Sequence, residues 1–328
     1  MRLDEPILVA GAGGFIGGHL VRELYLQGHT DITAVDIKPI EDWHQVTVDA
    51  DSQPNRDLSR LKVARSVTKG KEVVFNLACD MGGMGFIEMN KALCSLNILI
   101  NTHLLMGAHR ADVQRYFYSS SACVYRQDLQ DGTIHRPLRE TDAYPADPED
   151  GYGWEKLTSE RMCRHFNEDF GLQTRVARFH TIYGPEGTWD GGREKVPAAL
   201  CRKVALAKLT GETQIEVWGD GTQVRSLLYI DDLIAGVLSL TESNFAGPVN
   251  IGATETTTVE GLLCMVEEIA GIDPLHRVYD LSKPQGVRER NSDNTVMQGT
   301  TGWEPSTSLQ EGMERTYAWV FDQVKASL

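Results

Sequence analysis

The chain has 328 residues, of which 41% are hydrophobic and 24% charged, a balance ordinary for a globular protein with ample core. Its net charge of −14 argues against nucleic acid or an anionic membrane as a partner, and no apolar run is long enough to cross a bilayer. The first six residues hold no apolar signal-peptide core, and the six cysteines (79, 94, 123, 163, 201 and 264) form no CxxC pair or metal-like cluster, so reduced thiols, a cytoplasmic location and no metal are expected.

Residues 6–10 (PILVA) predict a short buried strand, and a helical pattern follows over 15–27. Between them, Gly11, Gly14 and Gly17 are spaced GxxGxxG rather than GxGxxG. Glycines at such a strand-to-helix turn let the backbone approach a pyrophosphate held at the helix N-terminus. Phe15 and Ile16 belong to the same turn and are grouped with it. A second strand, 32–35, ends in Asp36, about twenty residues past the glycines, where a carboxylate bonds a ribose hydroxyl. That carboxylate would repel the 2′-phosphate of NADP, so NAD is the expected cofactor.

Further along, 46–48 reads as a strand, 58–67 as a helix, 73–77 as a strand and 88–109 as a helix. Residues 116–118 lead as a strand into Ser119, Ser120 and Ser121; a helix then runs to 170, and 174–179 is the next strand. Strands separated by helices imply a doubly wound parallel α/β sheet of the Rossmann type. Tyr152 and Lys156 stand four residues apart on one helix face, where the ammonium can lower the phenol's pKa. With the hydroxyl of Ser121, they suit removal of a carbinol proton while a hydride leaves for a cofactor. Cys123 adds a thiol that simple dehydrogenation does not need.

After Gly184 the alternation changes. Residues 184–192 read as a loop, followed by a helix over 196–209, a strand over 215–218 and a turn over 219–221. Asp231 and Asp232 are placed to cap a helix running to Leu240, and Leu309, Met313, Tyr317, Val320 and Val324 form the apolar stripe of a last helix. The expected organisation is a cofactor domain over 1–184 and a smaller lobe over 185–328, with some of that chain returning to the first domain. Arg193, Lys195, Arg202 and Lys203 lie together, followed by Arg225 and by Arg288 with Arg290. In an acidic chain they suit an anion site such as one for a diphosphate; solvated helix faces are the other reading, open above all for Arg202 and Lys203.

With these motifs the chain resembles the extended short-chain dehydrogenase/reductase superfamily and, within it, the GDP-mannose 3,5-epimerase family. The segments that carry the resemblance are NLACDMGGMGFI (76–87), SSAC (120–123), RFHTIYGP (178–185), GTW (187–189), GGREK (191–195), WGDG (218–221) and GVRERNSDN (286–294). The likeness spans nearly the whole chain. MGGMGF and GGREK are specific, whereas WGDG and the glycine turn belong to the wider superfamily. The resemblance implies a nucleotide-sugar substrate, most simply a GDP-hexose, and a reaction without net redox change. Tyr152 would act as base at the C4 hydroxyl, with Lys156 tuning it and Ser121 holding the oxygen, while NAD takes the hydride. The 4-ketone would acidify C3 and C5, whose protons Cys123 and Lys195 would exchange before the hydride returns. It also places Gly82, Gly83, Met84 and Gly85 beside the sugar, Thr181 at the nucleotide end, and Lys203, Arg225, Arg288 and Arg290 around the diphosphate. Asp57 and Leu58 would serve the adenine and Ala78 the cofactor, and a homodimer would form through helices 88–109 and 152–170.

The chain departs from the family at Thr181, where the pattern has asparagine, which leaves the exact base and sugar open. Other nucleotide-sugar chemistries stay in view: 4-epimerisation, dehydration, or epimerisation of a related GDP-hexose or heptose. A 4-epimerase has no use for a thiol and a lysine flanking the ring, and a dehydratase of this superfamily usually carries Asp-Glu where this chain has Ala122-Cys123. An NAD-sensing non-enzyme on the same fold would often lose Tyr152 or Lys156.

Overall fold

Short strands that are apolar at every position need cover on both faces, and the sheet supplies it. The computed structural model describes residues 1–44, 50–132 and 136–328, so the strand expected over 46–48 lies outside the described residues. Six strands in chain order, β1 (Ile7–Ala10), β2 (Ile32–Val35), β3 (Asp51–Gln53), β4 (Val73–Asn76), β5 (Arg115–Ser121) and β6 (Gln173–Phe179), are joined by a seventh, Pro248–Ile251. The order across the sheet is Pro248–Ile251, β6, β5, β4, β1, β2, β3, and every pair is parallel.

Alternate residues of β1 divide the core. Ile7 and Val9 pack with helices Phe15–Leu26 and Ile230–Glu242, while Leu8 and Ala10 pack with Leu61–Thr68, Ile98–Arg110 and Asp150–Phe170. The chain winds outward from β1 through β2 to β3, then crosses to β4 on the other side. This reversal between β1 and β4 opens a crevice at the carboxyl ends of the strands, the ligand position of doubly wound sheets.

The C-terminal half adds a small sheet of Thr181–Tyr183, Val224–Tyr229, Thr256–Thr258 and Glu289–Arg290, and a separate parallel pair, Gln214–Trp218 with His276–Asp280. The last helix, Leu309–Ser327, buries Leu309, Met313, Tyr317, Val320 and Val324, the stripe expected from their spacing.

Three expected elements differ. The helix over 88–109 is three: Met84–Met89, Lys91–Ser95 and Ile98–Arg110. Asn90 leaves the helical region (φ −127°, ψ 42°), and the Asn97 side chain exchanges hydrogen bonds of 2.8 and 3.0 Å with the backbone of Asp80. The helix expected from 58 begins at Leu61, because Asp57 accepts from the Ser59 N–H at 3.0 Å and holds residues 57–60 in a turn. Asp231 and Asp232 lie within the first turn of Ile230–Glu242 and cap nothing; Asp232 instead accepts from Ser306 N (3.1 Å), Ser306 Oγ (2.8 Å) and Thr307 N (2.9 Å).

A buried polar network ties β5, β6 and helix Asp150–Phe170. Arg178 donates to both carboxylate oxygens of Glu160 at 2.9 and 2.7 Å, Ser120 donates to Glu160 at 2.5 Å, and Arg178 also reaches the Tyr125 hydroxyl at 3.3 Å. Tyr125 donates to Asn250 at 2.5 Å, which fixes Pro248–Ile251 to the same network. His180 stands 3.3 Å from Asn250 Oδ1, and burial holds its imidazole down at about 4 against an ordinary 6.5. The native state therefore resists a proton that the unfolded chain accepts, and stability should rise as pH increases from about 4 to about 6.5. This residue's share is on the order of 3 kcal/mol. Urea unfolding of the wild type and of His180→Gln across that window should show a flatter dependence in the variant.

Candidate active site

The glycine turn is built as the spacing requires. Gly11 adopts φ +87°, and a side chain there would meet the backbone N of Ala78 at 2.7 Å, so β1 and the segment after β4 close on each other only over a glycine. Gly17 packs its α-carbon onto the Gly11 carbonyl, and Gly14 is the N-cap of helix Phe15–Leu26. Asp36 accepts from Gly13 N at 3.0 Å and from Lys38 N at 2.9 Å, which fixes its carboxylate beside the turn. Phe15 and Ile16 are half-buried in the first helical turn. Asp57 accepts from Ser59, which is the main cause holding its carboxyl below the ordinary value, and Leu58 is buried. A diphosphate laid across Gly11–Gly14 would meet bare backbone and a helix N-terminus, so the turn fits a dinucleotide.

Next to it lies the end of β5. Ser121 caps a single helical turn, Ala122–Val124, by accepting from Cys123 N at 3.2 Å, and it also hydrogen-bonds Tyr152. Lys156 donates to the Ser119 carbonyl at 3.0 Å, and its ammonium sits 5.6 Å from the Tyr152 ring centroid. Burial, with Cys79, Cys123 and Glu155 nearby, pushes the Tyr152 phenol well above its ordinary value, and Ser121 works the other way. Burial also works against the Lys156 ammonium, but Cys79 and Glu155 outweigh it and its pKa is raised. Ser121, Cys123, Tyr152 and Lys156 are thus gathered at one strand end.

Lys195, the N-cap of helix Val196–Thr210, completes the group from the C-terminal half. Burial lowers its pKa while neighbouring Cys123 opposes the change. The two specific runs bind each other: Gly83 donates to the Arg193 carbonyl at 3.0 Å, and a side chain at Gly83 would stand 2.5 Å from the Glu194 carbonyl. Arg193 caps the Phe86 ring at 4.0 Å and pairs with Asp80 at 2.5 Å. Gly82 fits against Phe86 and Arg193, Gly85 faces Trp218, and Met84 touches Gly286.

The basic residues take separate places. Lys203 donates to the Glu216 carbonyl at 2.7 Å, with burial holding its pKa down. Arg202 is no solvated face residue, for it binds the Trp189 carbonyl (3.1 Å) and Glu194 (3.0 Å). Arg288 pairs with Asp220 at 2.9 Å. Arg225 donates to the carbonyls of Val224, Gln285 and Val287, and burial lowers it to about 10. Arg290, paired in register with Arg225, reaches the sulfur of Cys123 at 3.6 Å, which brings it beside the Ser121–Cys123 turn. Thr181 opens the strand that pairs with Leu227.

Residues 7–252 match the NAD dependent epimerase/dehydratase family. The chain belongs to this family. It is 43% identical over 325 residues to GDP-mannose 3,5-epimerase of Arabidopsis thaliana, a match covering 97% of this chain and 83% of that protein. It is 44% identical to GDP-mannose 3,5-epimerase 1 of Oryza sativa subsp. japonica over 97% and 82% of the two chains. Among solved structures, UDP-glucose 4-epimerase of Thermotoga maritima with UDP-glucose superposes with a TM-score of 0.86 at 27% identity, covering 97% of this chain and 99% of that one. NAD is the family's cofactor, and the turn around Gly11 and Asp36 suits it. Among the described residues no helix is long and apolar enough to cross a membrane.

Sequence reasoning passed over three polar residues of the site. Cys79 hydrogen-bonds Lys156, and burial raises its thiol to about 12. Glu155, within the YxxxK motif itself, lies 3.8 Å from the Lys156 ammonium and accepts from Tyr118 (3.2 Å) and Ser159 (2.8 Å). Glu149, three residues before Tyr152, pairs with Arg290. Glu155 lies inside the YxxxK motif and Cys79 inside the 76–87 run, whereas nothing along the chain marked Glu149. The wild type should purify with NAD bound, whereas Gly11→Ala, strained at φ +87° and pressed on Ala78, should lose it. Mass analysis of the released nucleotide should show at least a ~10-fold drop in occupancy, with a lower unfolding temperature.

Proposed function

We propose that the protein is a GDP-mannose 3,5-epimerase, converting GDP-mannose to GDP-L-galactose, GDP-L-gulose or both. The observation that carries the reading is the convergence of Cys123 and Lys195 on the Ser121–Tyr152–Lys156 group. An alcohol–ketone exchange at C4 needs only the last three residues. The thiol and the ammonium are extra groups that can move protons on carbon. The relatives at 43% and 44% identity support the same reading.

In this mechanism Tyr152 takes the C4 hydroxyl proton, Ser121 holds the C4 oxygen, and the Lys156 ammonium favours the phenolate that forms. NAD, when bound, supplies the acceptor and later the donor of the C4 hydride. A ketone at C4 acidifies the hydrogens on C3 and C5. Each inversion needs a proton removed from one face of the ring and another delivered to the opposite face; Cys123 and Lys195 take these two roles. Burial brings Lys195 toward the neutral form that can accept a proton. In this reading Gly82, Gly83, Met84 and Gly85 lie beside the sugar, and Lys203, Arg225 and Arg288 serve the diphosphate side.

Incubation with GDP-mannose in deuterium oxide, followed by NMR of the sugar, tests this directly. Deuterium should enter at C3, C5 or both in the wild type. Cys123→Ala and Lys195→Ala should each lose at least ~10²-fold in epimer formation while C4 oxidation persists. Tyr152→Phe should lose oxidation and deuterium uptake together. Wild-type rates in both Cys123→Ala and Lys195→Ala would refute the mechanism.

The reading extends to a cytoplasmic homodimer. Exposed Met89, Leu93, Leu96, Leu99, Trp154 and Phe170 lie along the segments expected to pair with their copies. Sedimentation at micromolar concentration should give about twice the 36.4 kDa chain mass, and a strict monomer would contradict the dimer.

A further inference from the structure

Cys123 is surrounded by cations. Arg290 touches its sulfur at 3.6 Å, and Lys195 and Arg225 lie within its electrostatic reach. Tyr152, from helix Asp150–Phe170, is the other titratable group facing it. A thiol pressed by unbalanced guanidinium charge would be held as thiolate. It could then take a proton but would be slow to give one, whereas an inversion cycle needs both directions.

A carboxylate reaches this group through Arg290. Glu149 pairs with Arg290 through a different guanidinium nitrogen from the one that meets the sulfur, and both side chains are buried. Gln130 fixes the same guanidinium by accepting from its Nε at 2.6 Å. The Glu149 backbone is bound into the site as well: its N–H donates to the Cys123 carbonyl at 2.9 Å, and its carbonyl accepts from Gly153 in the turn that carries Tyr152, at 2.6 Å. The second carboxylate oxygen, Oε2, is buried without a hydrogen-bond partner among the described residues, so its charge is spent on the neighbouring cation rather than dispersed.

We propose that Glu149 is a positioning residue that, through its buried ion pair with Arg290, balances the charge at Cys123 so that the thiol both donates and accepts protons. The proposal rests on the reading of Cys123 as the proton-exchanging thiol. Its physical content is a pair of opposite signs. Removing the carboxylate leaves the cation unbalanced and favours thiolate; removing the cation does the reverse.

Iodoacetamide alkylation of Cys123 at neutral pH, without substrate, reads this sign. Rates are followed by peptide mass analysis and normalised to exposed Cys264 in the same sample. Glu149→Gln keeps a hydrogen-bonding side chain and should speed alkylation about threefold or more. Arg290→Gln should slow it by a similar factor, and Arg290→Lys, which keeps the charge, should recover the wild-type rate. In deuterium oxide with GDP-mannose, Glu149→Gln should lose at least ~10-fold in deuterium uptake on carbon while C4 oxidation continues. Unchanged or slower alkylation in Glu149→Gln overturns the proposal, as does equal slowing in Arg290→Lys and Arg290→Gln, which would indicate packing rather than charge. Because alkylation needs no substrate, the test stands apart from the epimerase reading: a wild type inert toward GDP-mannose would refute that reading and leave the alkylation signs to decide this one.

Discussion

The site depends on how closely the end of β5 approaches the start of helix Asp150–Phe170. Gly153 lies so near the Cys123 carbonyl that a β-carbon there would collide with it, and with Pro148 at 3.0 Å. The Glu149 amide then donates to that carbonyl at 2.9 Å. This junction sets the distance between the serine and thiol on one side and the tyrosine and lysine on the other. Lower down, Lys156 holds the Ser119 carbonyl and Glu160 takes Ser120 and Arg178, so strand and helix are joined along their length. Four side chains from two elements therefore behave as one rigid group, which suits a reaction that must meet the same ring repeatedly.

Burial acts in opposite senses across that group. It pushes the Tyr152 phenol up and the Lys195 ammonium down, moving both toward their uncharged forms. Lys156 is the exception, because Cys79 and Glu155 more than offset its desolvation. Lys156 therefore remains a cation beneath the tyrosine, while burial favours the uncharged forms of Tyr152 and Lys195.

Features set by local sequence were legible without coordinates. The glycine turn, Asp36, the Tyr152–Lys156 spacing and the stripe of the last helix each follow from periodicity or from a backbone need within a few residues. Features set by distant partners were not. The segment 88–109 is split at Asn90 and again near Asn97, whose side chain binds Asp80, and Asp232 serves residues 306 and 307 instead of its own helix end. The strand Pro248–Ile251, short and begun by proline, gains its place from distant partners, by pairing with β6 and through Asn250. Arg290 reached Cys123 through its register opposite Arg225, and no spacing along the chain announces that. Glu149 was overlooked for the same reason: its partner is 141 residues away.

The bond between Gly83 and Arg193 couples two loops drawn from opposite halves of the chain. Their backbones meet with no side chain between them, since even a methyl group at Gly83 would strike the Glu194 carbonyl at 2.5 Å. A side chain at Gly83 would push against the backbone that leads directly into Lys195. The contact thus makes the place of Lys195, set by the second half of the chain, depend on a backbone bond to the first.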